Sequence, residues 1–171
     1  MYKGHVILSH GLDSGPDASK VSAMAEVAER LGWRVTRPNY RDLDAVLRLG
    51  SVVARIERMK LSLEPGERLV LAGSSLGAFT SGLMSLQISC AGLFLVAPPI
   101  SISEFERPLA VADVPLAIVH GWNDELIPAN EVIAFAQSRS AWLTLVNDTH
   151  RLSEHINLVA NQFALFLTSL R

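Results

Sequence analysis

Six short runs of successive apolar residues recur along the chain, at His5–Ser9, Trp33–Arg37, Arg68–Ala72, Gly92–Ala97, Leu116–His120 and Trp142–Val146. Apolar residues at consecutive positions, rather than at every second one, predict strands covered by helices on both faces. The segments between them carry helical spacing and clear punctuation. Ser14-Gly15-Pro16-Asp17 offers a cap and a first-turn proline ahead of Val21, Met24, Ala25, Ala28 and Leu31, and Gly32 stops that helix. A second helix, from about Asp44, is expected to turn Val46, Val53, Ile56 and Met59 inward and to end before Pro65-Gly66. A third follows Ser75 and reaches about Gln87, and another starts at Pro128. The last runs from Ser153 with Ile156, Val159, Phe163, Phe166, Leu167 and Leu170 on one face. Only the stretch from Pro98 to Pro115 lacks a clear pattern; a short helix around Ser103–Ala110 is the most regular element that fits it.

Alternation of strand and helix from end to end, without repeats or low-complexity stretches, predicts an α/β fold. The expected form is a three-layer α/β/α sandwich around a doubly wound, mostly parallel sheet of about six strands, with residues 1–171 as one domain. Composition narrows the function. With 49% hydrophobic and 19% charged residues the chain can bury a core, and a net charge of −2 leaves no basic surface for nucleic acid or anionic lipid. The mixed run Arg55-Ile56-Glu57-Arg58-Met59-Lys60 reads as a solvated helix face. Cys90 is the only cysteine, so no intrachain disulfide forms, and it reads as a small buried thiol. The first apolar run is too short for a signal peptide and none approaches a membrane span, so a soluble, cytoplasmic protein is expected.

The candidate chemistry lies at strand ends. Gly73-Ser74-Ser75-Leu76-Gly77 follows an apolar strand and opens a helix, the setting in which G-x-S-x-G marks a nucleophile elbow. The turn is sharp enough to strain the serine backbone, and a Cβ at either flanking glycine would collide with a neighbouring strand or helix. If the strand order is 2-1-3-4-5-6, the chain reverses between strands one and three, and a ligand sits outside their carboxyl ends. A serine hydroxyl needs a base to take its proton. Of the five histidines, His5 reads as a half-exposed strand residue and His155 lies within a helix. His10 and His120 end strands where a ring bonds local backbone. His150, in the loop after the last strand, is the candidate base. Asp124, after strand five, is the candidate acid; Glu125 is expected to point away and Asp148 to tighten its own turn.

The order Ser75, Asp124, His150 resembles that of the α/β-hydrolase superfamily. The chain matches it at His10-Gly11, Gly73–Gly77, His120–Asp124 with Ile127-Pro128, and His150-Arg151-Leu152. It is most similar to short serine esterases and dienelactone-hydrolase-like proteins. The resemblance implies a minimal fold lacking two strands and the cap domain, with the backbone N–H groups of Leu12 and Leu76 binding an oxyanion. The expected pocket wall is apolar and includes Leu12, Pro98, Ile100, Phe105, Trp122 and Ile127; Pro99, Ile102 and Leu126 are further candidates. Asp13, Asp17 and Arg41 are candidates to place charge at its rim, and ordinary solvation explains them equally well. No metal-ligand spacing and no phosphate loop occur, so a cofactor-free hydrolase of small-molecule esters is expected, with thioesters as the closest variant. A non-catalytic member of the fold that binds a ligand or partner is the rival, and amide hydrolysis at a peptide N-terminus, hinted at by Asp13, a third.

Overall fold

In the computed structural model, which describes residues 1–170, six strands form one parallel sheet in the order β2-β1-β3-β4-β5-β6. They are β1 (His5–Ser9), β2 (Arg34–Thr36), β3 (Leu69–Ser74), β4 (Gly92–Val96), β5 (Leu116–Gly121) and β6 (Trp142–Val146). Six α-helices accompany them: α1 (Ser19–Arg30), α2 (Arg41–Leu47), α3 (Val52–Lys60), α4 (Leu76–Ser85), α5 (Ala129–Ser138) and α6 (Ile156–Ser169). Side chains alternate across each strand, which is why both sheet faces read as apolar. Ile7, Leu71, Leu95 and Ile118 pack with residues of α3, α4 and α5. Val6, Leu8, Phe94 and Val119 pack with α1 and α6, where Phe94 lies 4.9 Å from the Phe163 ring. Strands β1 and β3 are neighbours, with Ser9 opposite Gly73, so the loops leaving both emerge side by side. This is the reversal point at which an open sheet binds ligands. Among the described residues no helix is long and apolar enough to cross a membrane.

Several local expectations are corrected. Helix α1 begins at Ser19, after Pro16-Asp17, which form a turn instead. The expected second helix is broken: a 3₁₀ turn over Arg48–Ser51 separates α2 from α3, and Arg48 has φ 50°. The break shifts the helical phase, so Val52, Arg55, Ile56 and Met59 face inward, while Val46 and Val53 are 79% and 60% exposed. No helix forms around Ser103–Ala110. That stretch holds an Ile102–Phe105 bridge, the Leu109 N–H donates to the Ile100 carbonyl at 2.8 Å, and Leu109 and Val111 seat against α4 where Gly82 leaves room. His5 is fully buried rather than half-exposed: Nε2 donates to Thr36 Oγ1 at 2.8 Å and Nδ1 accepts from Arg34 at 3.0 Å.

The largest correction is Arg55, which is fully buried rather than solvated. Its Nε and Nη2 hold the two oxygens of Asp44 at 2.8 and 2.5 Å, and Ser51 Oγ donates to the same carboxylate at 2.9 Å. Its other hydrogen bonds reach the loop after β1: Nη1 to the His10 carbonyl at 2.6 Å and Nη2 to the Gly11 carbonyl at 3.2 Å. Tyr40 lies beneath the guanidinium, 4.6 Å from ring centre to charge, and its backbone N–H donates to His10 Nε2 at 3.0 Å. His10 Nδ1 therefore carries the ring proton and donates to the Gly11 carbonyl at 2.7 Å. Every strong group under this loop is engaged, and the loop is held from below.

Two outcomes follow from burial. Arg55→Met strands the Asp44 carboxylate and is expected to lower stability by about 3–5 kcal/mol in urea unfolding. Adding Asp44→Leu should recover part of the loss; a single-variant loss below about 1 kcal/mol would contradict the network as drawn. The second outcome concerns protons. His5, His10 and His120 are fully buried, and burial lowers each pKa. The unfolded chain therefore binds more protons at these sites below about pH 6.5, so stability is full above that pH and declines below it. Each histidine contributes up to about 1.4 kcal/mol per pH unit until its lowered pKa is passed. Urea midpoints at about pH 7.5 and about pH 5.5 measure this; an unchanged midpoint would refute it.

Candidate active site

Strand β3 ends at Ser74 and helix α4 begins at Leu76, so Ser75 alone makes the turn, with φ 53° and ψ −120°. A side chain in that region costs on the order of 1–3 kcal/mol and persists only where its surroundings over-determine it. Here they do. The Ser75 N–H donates to the Val96 carbonyl at 2.8 Å, and its carbonyl accepts from Ala78 and Phe79 at 2.9 and 3.1 Å. A Cβ on Gly73 would overlap the Gly77 carbonyl, and one on Gly77 would overlap the Ser9 carbonyl, as the motif requires. Every residue of α4 is buried, so the helix cannot swing to relax the turn.

The structure brings the three expected side chains into one line. Ser75 Oγ lies 2.9 Å from His150 Nε2, and His150 Nδ1 lies 2.7 Å from Asp124 Oδ2. The Asp124 side chain is fully buried, and its other oxygen accepts the N–H groups of Leu126 and Ile127 at 2.9 and 2.8 Å. Burial works to raise the Asp124 carboxyl, but the hydrogen bonds from His150 and from these amides overcome it, leaving the pKa below the ordinary value. An ionised Asp124 makes Nδ1 the protonated nitrogen of His150, so Nε2 presents its lone pair to the serine hydroxyl. A hydroxyl so placed can pass its proton to the imidazole while the carboxylate stabilises the resulting cation.

The rejected carboxylates have other work. Asp148 accepts from the Thr149 and Glu154 backbone N–H groups at 2.7 and 3.0 Å and from His155 Nδ1 at 2.9 Å, so it shapes the loop that carries His150. Glu125 does not point away; it accepts the His150 backbone N–H at 3.1 Å. His120 Nε2 donates to the Ile127 carbonyl at 3.0 Å, steadying the turn that carries Asp124.

A cleft of about 850 Å³ opens above Ser75, within the usual range for small-molecule sites. Leu12 and Ile127 line it as expected, together with Pro99, Ile102 and Leu126. Pro98, Ile100, Phe105 and Trp122 do not. Pro98 is buried at the end of β4, and Ile100 and Phe105 pack on the core, Phe105 edge-on to Phe79 at 5.7 Å. Trp122 is 54% exposed and faces solvent. Helices supply lining that the loop-centred reading missed, including Val21, Leu49 and Ile156. Of the rim charges, Asp13 lines the cleft but is held by both terminal nitrogens of Arg48, at 2.5 and 2.8 Å, and Asp17 pairs with Arg41 at 2.6 Å. Leu76 also lines the cleft, and as the first residue of α4 its N–H has no acceptor within the helix. The Leu12 N–H shares a trans peptide with the Gly11 carbonyl, and Arg55 and His10 hold that carbonyl, so the N–H is fixed in the opposite direction. Among the described residues no three His, Cys, Asp or Glu side chains cluster as a metal site would. A second cavity, of about 640 Å³, lies at the opposite sheet edge beside Cys90, whose thiol is only partly buried and is pushed up by desolvation.

No family model matches the chain, and no curated protein matches it. Solved structures do. A protein from Xanthomonas campestris pv. campestris assigned to the alpha/beta hydrolase superfamily is 50% identical, with a TM-score of 0.93 over 98% of this chain and 99% of its own. Est1E from Butyrivibrio proteoclasticus is 18% identical, with a TM-score of 0.76 over 98% of this chain and 88% of its own. A second Xanthomonas campestris protein, a serine hydrolase without a lid, is 19% identical, with a TM-score of 0.73 over 98% of this chain and 82% of its own. The last two share the fold. The first shares half its residues over nearly the whole of both chains, and by that measure this chain belongs to the α/β-hydrolase superfamily.

Proposed function

We propose that this α/β hydrolase is a cofactor-free serine hydrolase that cleaves carboxylic esters of small soluble substrates. The supporting observation is the Ser75–His150–Asp124 alignment, with contacts of 2.9 and 2.7 Å, on a backbone strained to hold the serine. In this reading Ser75 Oγ attacks the ester carbonyl carbon as His150 Nε2 takes its proton. The tetrahedral oxyanion is held by the N–H groups of Leu12 and Leu76, each good donor contributing about 3–4 kcal/mol to the barrier reduction. The positive end of α4 adds to the same field. Collapse breaks the bond to the alcohol, which leaves with the proton from His150. Water then attacks the acyl group on Ser75, His150 again moving the proton, and the acid departs.

A fluorophosphonate adduct located by mass spectrometry tests the nucleophile: it should sit on Ser75 alone, and Ser75→Ala should lose about 10⁴–10⁶ in kcat. Asp124→Asn should lose roughly 10⁴ by leaving the imidazole in the wrong tautomer. Asp148→Asn, which touches only the loop, should lose at least about 100-fold less than Asp124→Asn. An adduct on Ser74, or the reverse ranking of the two acids, would overturn the assignment.

A further inference from the structure

Two cations of the cleft, Lys20 in the first turn of α1 and Arg151 directly after His150, have no part in the chemistry above. Lys20 Nζ donates to the Arg151 carbonyl, and this is its one hydrogen bond among the described residues. Neither Lys20 nor Arg151 has a carboxylate within ion-pair distance among those residues. Several other cations do have a carboxylate: Arg41 pairs with Asp17, Arg48 with Asp13, Arg58 with Asp42 and Lys60 with Glu57. The acids nearest Lys20 are already engaged, Asp124 by His150 and two amides, Asp148 by His155 and two amides. Burial lowers the Lys20 pKa although the Asp148 and Asp124 carboxylates attract the ammonium, so the charge is held at a cost that its surroundings do not fully offset. A tether to a backbone carbonyl needs only a neutral donor. The charge, with two N–H groups still without a protein acceptor, is surplus to that role.

The position of these charges says which part of a substrate they meet. The leaving oxygen must take its proton from His150 Nε2, so the alcohol portion of a bound ester lies on the histidine side of Ser75. Arg151 adjoins His150 in the chain, and Lys20 is bonded to Arg151. We infer that Lys20 and Arg151 bind a carboxylate on the alcohol portion, so the preferred substrates are esters whose leaving group is negatively charged. This rests on the ester-cleaving reading of Ser75.

The test compares 4-acetoxybenzoate with its methyl ester, which share an acyl group and differ in the charge of the leaving group. Wild-type protein should favour the anion in kcat/KM, and Lys20→Met should lower the anion-to-neutral ratio about tenfold, mainly through KM for the anion. Any loosening of the histidine loop by the substitution acts on both esters and cancels in the ratio. Lys20→Arg should retain most of the preference. Calorimetry on Ser75→Ala protein reads recognition without turnover: the anion should bind more tightly, and the added Lys20→Met should abolish the difference. An unchanged ratio in Lys20→Met, or equal binding of both esters to Ser75→Ala protein, would overturn the inference. Retained binding preference without hydrolysis of either ester by wild-type protein would sink the ester-cleaving reading and leave anion recognition standing.

Discussion

The first turn of α4 presses so closely on the end of β1 that only glycine fits between them. Gly77 rests against the Ser9 and His10 carbonyls, and Gly73 against Gly77 itself. From that contact the rest of the site follows. The chain must reverse within one residue, which drives Ser75 to φ 53°, and the helix cannot retreat because all its residues are buried. The loop leaving β1 is caught in the same contact: a Cβ on Gly11 would lie 3.4 Å from both the Ser75 Cβ and the Ser74 carbonyl oxygen. Serine and loop therefore pack directly against each other. The local strain is offset by the apolar burial of α4 and its neighbours, a far larger favourable term.

Arg55 fixes the same loop from the other side. A buried ion pair is a poor way to gain stability, since desolvation consumes most of its Coulomb attraction. What the Arg55–Asp44 pair adds is direction: the guanidinium reaches two successive carbonyls, His10 and Gly11, and sets the peptide that presents the Leu12 N–H. Asp124 works by the same logic, one oxygen spent on two amides so that the other meets His150 at a defined angle. In both places a buried charge spends two hydrogen bonds on backbone groups of a loop, carbonyls for Arg55 and amides for Asp124, and so orients that loop.

The strands were readable because burial on both faces leaves no polar phase, and the reactive loops because they sit where strand order reverses. The second helix was misread for a definite reason. Helical phase carries forward only along an unbroken helix, and the positive φ at Arg48 has no marker in an arginine. With the phase shifted, Arg55 falls on the inward stripe of Val52, Ile56 and Met59, a position the continuous helix had denied it. Its partner Asp44 lies 11 residues earlier, across the break, so no local spacing could pair them. The cleft was read only in part, because apolar loop residues such as Ile100, Phe105 and Trp122 do not declare which side of a turn they occupy. Helix residues that complete the wall, such as Val21 and Ile156, looked like ordinary core.

The central claim is that one transition-state charge is met by amides that two separate constraints hold in place, the strained Ser75 turn and the Arg55-bound loop. A crystal structure of the protein carrying a phosphonate on Ser75 measures this most directly. The account predicts one phosphonyl oxygen within about 2.7–3.1 Å of both the Leu12 and Leu76 backbone nitrogens, with the loop unmoved. An oxygen turned to solvent with neither amide in reach, or a loop that rearranges to meet it, would contradict the account.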